Sequence, residues 1–206
     1  TGDWSSDVCS SDLFPESHSA SFALLAYVSA WLKCHHPAAF YVGLLNSQPM
    51  GFYSPSQLIQ DARRHHIMVL PVDVNHSSWD HQILSSADQQ QPPIRLGLRL
   101  IKGLSEAAGQ RIHTAQRQRA FANVADLRQR ACLDRGDMEA LAAADALSGI
   151  SGNRYQSHWQ TMALEAHRPL LPHDSAAQRS QDDAAVTAAP TLPEDVVADY
   201  QSTGLT

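Results

Sequence analysis

Ile101-Lys102-Gly103-Leu104-Ser105 is the run whose residue types and order could do chemistry, and that chemistry is the gripping of an anion. A glycine lets the backbone come close to a phosphate, the leucine can plug the turn into a core, and Ser105 can cap a following helix. Free amides at such a helix start would face the anion, with Lys102 and, one or two turns on, Arg111 adding positive charge. A grip of this kind holds a nucleic-acid backbone without reading bases. Two further groups of reactive types stand earlier in the chain: Ser17-His18, and Lys33-x-His35-His36 followed by Pro37. A Lys or His near an anion would offset its charge. Ser17 can equally cap a helix, and Lys33 and His35 can equally complement that helix's C-terminal dipole.

Two-metal chemistry at a phosphate needs clustered carboxylates to hold the ions, and the sequence offers no such cluster. Asp61, Asp73 and Asp80 stand apart, and each reads as a solvated or capping carboxylate. His35-His36 and His65-His66 are adjacent pairs that a helix would point in different directions, so neither is read as a metal site. No catalytic residue and no metal ligand is assigned.

The elements that must position these residues follow from spacing. Leu24, Val28, Trp31 and Leu32 recur at helical intervals among small Ala and Ser residues, which predicts a helix apolar nearly all round and therefore buried. Pro37 suits the first turn of the next helix, so the chain turns a corner at His35-His36. Ser54 and Pro55 open another helix, with Leu58, Ile59 and Ala62 on its apolar side. Ile67 to Leu70 and Ile94 to Leu100 read as short strands that pair in a ribbon, separated by a polar loop containing Gln89-Gln90-Gln91-Pro92-Pro93. Helices are predicted over Ser105 to Gln118, Val124 to Cys132, Arg135 to Ala144 and Asn153 to Ala166. A second turn of the same kind as the first falls at Ala144-Asp145-Ala146-Leu147. Its acidic residue would repel a phosphate, so it reads as packing.

The 206 residues carry a formal net charge of −6, yet the sign changes along the chain. From Ile94 to Arg135, nine Lys/Arg face three Asp/Glu, a surplus of about +6 that could meet phosphates. From Glu165 onward the balance turns acidic, and beyond Pro169 the Ala, Asp, Gln, Ser and Pro composition predicts a disordered linker. Three scattered cysteines argue against a disulfide framework and a closed zinc site, and suit a reducing compartment. No apolar stretch is long enough to cross a membrane and no signal peptide is read. The opening TGDWSSDVCSSDL repeats Ser-Ser-Asp without helical or strand periodicity and reads as a non-native junction segment.

Ser17-His18-Ser19-Ala20-Ser21-Phe22-Ala23-Leu24-Leu25 and Trp31-Leu32-Lys33-Cys34-His35-His36-Pro37-Ala38-Ala39-Phe40 closely resemble the fingers of bacterial C-family DNA polymerases, the replicative alpha-subunit type. Phe14-Pro15-Glu16 before the Ser-His pair, and Leu45 to Tyr53 beyond it, resemble the error-prone branch. The resemblance continues through Asp61 to Arg64, Leu70 to Asn75 and Arg95 to Leu98, to about Arg154. Ile101 to Ser105 resembles the hairpin of a helix-hairpin-helix unit, with Ser105 where the family more often has a second Gly.

The resemblance implies a mainly α fold. Residues 1–13 would be the junction segment, 14–93 the end of the fingers, 94–166 the helix-hairpin-helix region, and 167–206 a disordered acidic linker. It implies nucleotide contacts from Ser17, His18, Lys33 and His35, and DNA contacts from Lys102, Gly103, Leu104, Ser105 and Arg111. The palm carboxylates and their magnesium would lie outside the chain, which alone would be inactive. Primer-template DNA and deoxynucleoside triphosphates are the implied partners, with accessory mutagenesis proteins and the sliding clamp, in the cytoplasm and away from membranes. The alternative is a stand-alone helix-hairpin-helix DNA-binding adaptor without enzymatic activity.

Overall fold

A computed structural model of the chain describes residues 16–84, 91–163 and 188–205, with the backbone alone for Glu16 and Ser17. The architecture is mainly helical. Helices α1 (Glu16–His35), α2 (Pro37–Asn46) and α3 (Pro55–Arg64) come first. A sheet of β1 (Val69–Leu70), β2 (Gln82–Ile83) and β3 (Ile94–Arg95) follows, then a 3-10 turn (Leu98–Leu100). The second helical part comprises α4 (Glu106–Gln118), α5 (Val124–Arg130), α6 (Arg135–Ala143), the single turn α7 (Ser148–Ser151), α8 (Arg154–Ala163) and α9 (Leu192–Ser202).

Local signals set most of the helix starts. Ser54 accepts the Gln57 N–H at 3.3 Å while the Gln57 side chain accepts the Ser54 N–H at 3.0 Å, a reciprocal cap that begins α3 as expected. Ser105, Asn123 and Asp134 cap α4, α5 and α6 one way, their side-chain oxygens accepting the N–H of Ala108, Asp126 and Asp137. Pro37 occupies the first turn of α2, so the helical corner forms where the sequence places it. Ser17 differs from its expected capping position, because it falls inside α1.

Strand pairing is partly as expected. β1 and β3 pair parallel, with Val69 opposite Ile94, and β2 joins the other edge of β3 antiparallel, with Gln82 opposite Arg95. The strand expected to run to Leu100 stops at Arg95. Gly97 lies so tightly against Trp79 O and Asp80 that a side chain has no room, and the Leu98 and Arg99 amides turn to Ser78 O and Trp79 O at 2.8 and 3.0 Å. Gln82–Ile83 falls in the stretch that composition marks as loop, two polar or half-exposed residues that pairing alone makes a strand.

The main core runs from Leu45 through Ile59, Val74, Leu98, Ile112, Leu127, Met138 and Leu147, with Leu205 packed on it. The division expected at residues 93/94 therefore passes through a sheet and a shared core. Two expectations are corrected. α1 is not buried: Leu24, Tyr27 and Trp31 are 63%, 68% and 43% exposed, and the helix packs chiefly against α2. Its composition demands a cover that the described residues do not supply. The acidic end is not disordered throughout. Leu192–Ser202 form a helix whose Glu194 carboxylate accepts from the Thr191 N–H and hydroxyl, both at 2.8 Å, and it docks on α6. The remainder of the expected linker up to residue 187, the junction segment 1–13 and the end of the helix expected to reach Ala166 lie outside the described residues.

Candidate nucleic-acid interface

The first hairpin has the geometry its sequence implies. Gly103 stands at φ +87, Ile101 and Leu104 are buried on either side of it, and the Ser105 hydroxyl accepts the Ala108 N–H at 3.1 Å to start α4. A left-handed residue between two buried apolar anchors turns the backbone outward, and only glycine takes that conformation freely. The charged residues are more occupied than the sequence suggests. Lys102 Nζ donates to the carbonyls of Tyr200 and Gln201, both at 3.0 Å, and its N–H donates to Ser202 O at 2.9 Å. Arg111 donates to Ala131 O at 2.9 Å and reaches Asp137 at 3.3 Å. Its side chain remains 43% exposed.

Ion pairs temper the basic stretch as a whole. Arg99 pairs with Asp80, Arg119 and Arg130 share Asp126, and Arg135 pairs with Glu139. Arg130 also lies over the Phe121 ring, 4.8 Å from its centroid. Asp80, Asp137 and Glu139 lie outside residues 94–135, which is why the surplus of charge there overstates the free cations.

The second hairpin carries Asp145 at φ +54, a left-handed position that an aspartate tolerates. Ala144, Ala146 and Leu147 are buried, and Ala146 O accepts the Val74 N–H at 3.1 Å, so this turn is packed into the core. Burial holds the Asp145 carboxyl above the usual carboxylate range, opposed by the nearby Arg154 charge.

The Ser17, His18, Lys33 and His35 group lies along one helix. His18 and Lys33 are separated by about 22 Å at 1.5 Å per residue, so only a ligand running along α1 would meet both ends. His18 rests against Phe22 and His35 against Trp31, with ring centroids 4.4 and 4.6 Å apart. Lys33 points across the corner to α3, donating to Asp61 at 2.7 Å, and the Tyr41 hydroxyl donates to the same oxygen at 2.7 Å. His65 Nδ1 lies 3.2 Å from that hydroxyl. These hydrogen bonds, from Lys33 first, lower the Asp61 carboxyl, and the Asp61 bond raises the Lys33 ammonium. Burial pushes the Tyr41 hydroxyl up to about 12. Asp61 is thus an ion-pair partner, where the sequence suggests a solvated or capping carboxylate. The two residues stand 28 positions apart on different helices, and no local pattern links them.

Arg154 is the other functional-type residue that the sequence did not mark. Only 5% exposed, it donates to the Asp195 carboxylate at 3.0 Å and the Asp195 carbonyl at 3.1 Å, and pairs with Asp199. It ties α8 to α9. Among the described residues no three His, Cys, Asp or Glu side chains gather in a way that could hold a metal ion, and no helix is long and apolar enough to cross a membrane.

Comparison with known proteins agrees with this geometry. Residues 66–157, which contain both hairpins, match the family model described as a helix-hairpin-helix motif. The error-prone DNA polymerase of Methylococcus capsulatus is 52% identical over 93% of this chain and 20% of its own length. Those of Teredinibacter turnerae and Saccharophagus degradans are each 54% identical over 93% of the chain, and it covers 18% and 19% of them. The chain spans about a fifth of the length of the curated relatives it matches. With half or more of its residues identical along nearly its whole length, and a helix-hairpin-helix motif within, the chain is similar to a fifth-length stretch of the error-prone DNA polymerases.

Proposed function

We propose that this chain serves as the fingers end and helix-hairpin-helix region of an error-prone DNA-directed DNA polymerase acting in damage-induced repair and translesion synthesis in the cytoplasm. The observation that carries this reading is the identity of 50–54% to error-prone DNA polymerases along 93–94% of the chain. In that role the first hairpin grips the DNA backbone through Lys102, Gly103, Leu104, Ser105 and Arg111. Ser17, His18, Lys33 and His35 line the path of the deoxynucleoside triphosphate. Magnesium and the carboxylates that hold it belong to parts of the polymerase outside this stretch. Accessory mutagenesis proteins and the sliding clamp are its further partners.

The hairpin role has a direct test. Gly103→Glu places a side chain and a negative charge where a phosphate would sit, at a φ that side chains rarely adopt. It should weaken binding of a labelled primer-template duplex about tenfold, read by fluorescence anisotropy at fixed salt. Unchanged affinity in a variant that melts like the parent would remove the hairpin from the DNA interface. The nucleotide role is tested in a chimera, with residues 16–163 replacing the matching stretch of the Methylococcus capsulatus relative. Lys33→Ala there should raise KM for the incoming nucleotide about tenfold with kcat little changed. An unchanged KM with a lowered melting midpoint would assign Lys33 to holding the corner through Asp61 instead.

A further inference from the structure

We propose that α9 is a strap across the first hairpin that competes with the DNA backbone for the same donors, so that the hairpin binds DNA only as α9 lifts. This regulation rests on the reading of the hairpin as the DNA-backbone site. The last turn of a helix presents carbonyls without intrahelical partners and carries the negative end of the helix dipole, which makes it a weak electrostatic counterpart of a phosphate. Here Gln201 and Ser202 supply such carbonyls, and Tyr200, whose oxygen also accepts the Gly204 N–H at 3.1 Å, supplies a third; Tyr200 and Gln201 take the Lys102 ammonium and Ser202 the Lys102 amide. The ammonium also sits 5.8 Å from the centre of the Tyr200 ring. Gly204, at φ +75, ends the helix beside the Lys102 side chain. A phosphate approaching the hairpin therefore finds its charge and one of its amides already taken.

The way α9 is held allows it to leave. Ser202 and Thr203 are buried and Leu205 reaches the core, but Leu192, Val196, Val197 and Tyr200 are 82%, 50%, 56% and 63% exposed. The helix buries little apolar surface. Its attachment is mostly polar: the Lys102 contacts at its end and the Arg154 pairs with Asp195 and Asp199 along its side. Bonds of this kind exchange for bonds to water at modest net cost. Glu194, Asp195 and Asp199 add charge that would repel a duplex seated on the hairpin. DNA and α9 should therefore exclude one another, and by linkage each weakens the other's hold.

Hydrogen exchange of the full chain, with and without a 20-base-pair duplex, tests this. The expected result is slower exchange in residues 101–111 together with faster exchange in residues 192–203. Val197→Pro, at a solvent-facing position within α9, breaks the strap without touching the core. It should tighten duplex binding several-fold, and Gly103→Glu in the same chain should cancel the gain. Joint protection of both segments by DNA, or a folded Val197→Pro chain with parental affinity, overturns the strap while leaving the hairpin as a DNA site. Exchange unchanged in both segments overturns the hairpin reading itself, and the strap with it.

Discussion

His81 shows how far a single side chain in this fold departs from its free behaviour. It is 4% exposed, its Nδ1 accepts the Gly97 N–H at 3.1 Å, and its backbone is clasped by the Asn46 amide at 2.9 and 3.1 Å. Burial first, and the Arg99 charge second, push the imidazole down to about 4. The unfolded chain takes up a proton near pH 6.5 and the folded chain does not until about 4, so the unfolded state holds more protons throughout that window. Stability should therefore fall as pH drops from 6.5 to 4, by about 3 kcal/mol in all. Urea melts across this range should show the slope in the parent and lose it in His81→Gln. Asp145 works in the opposite sense. Its carboxyl is held up by burial, one of its oxygens is buried without a partner, and its backbone is left-handed. A carboxyl raised in the folded state contributes stability at low pH that is lost as pH rises through its folded value. Asp145→Asn keeps a residue that tolerates this backbone and removes the buried charge. It should gain about 1 kcal/mol at pH 7 and nothing at pH 3, measured by the same melts.

Helix α4 illustrates an element whose sequence looks weaker than its structure. Gly109 sits in its interior, where glycine costs about 1 kcal/mol against alanine. The Trp79 ring lies so closely over Gly109 that a methyl group would run into it. We expect Gly109→Ala to lower stability by about 1–3 kcal/mol despite its better helix propensity, read as a fall in urea midpoint at unchanged slope. A rise would mean that the indole can swing aside. The same contrast explains what could be read from sequence. Ser54, Pro55 and Gln57 lie within four residues, so the start of α3 was legible, as were Pro37 and the Ser105 cap. The hairpin was legible for the same reason, since Gly103 and its flanking anchors are contiguous. Strand β2 exists because Gln82 finds Arg95, α9 is held where it is because Asp195 and Asp199 find Arg154, and Lys33 is turned from its helix end by Asp61. Each of these pairs joins residues 13 or more positions apart, and residue type alone carries no trace of the partner.

On the scale of the whole molecule, the main core joins both hairpins and takes in Leu205 just past α9, and a second cluster of Ala38, Tyr41, Ala62, Ile67 and Ile94 joins α2 and α3 to the sheet, while α1 projects its apolar side chains into solvent. Phe22, Leu24, Leu25 and Tyr27 are 57%, 63%, 60% and 68% exposed along a helix with no acidic residue after Glu16. An exposed face of this kind in water drives association. The matched relatives are about five times as long as the stretch of them that the chain covers, and among the described residues nothing covers this face. Two sets of substitutions separate the contributions of face and core. Leu24→Gln with Tyr27→Gln, both at solvent-facing positions, should suppress concentration-dependent light scattering and leave the melting midpoint within a degree or two of the parent. Leu141→Ala, which empties a fully buried site beside the hairpins, should instead cost about 3 kcal/mol and lower the midpoint without curing association. If the double substitution also destroyed cooperative melting, α1 would be part of the folding unit, and its apolar side would have to be buried within the isolated chain.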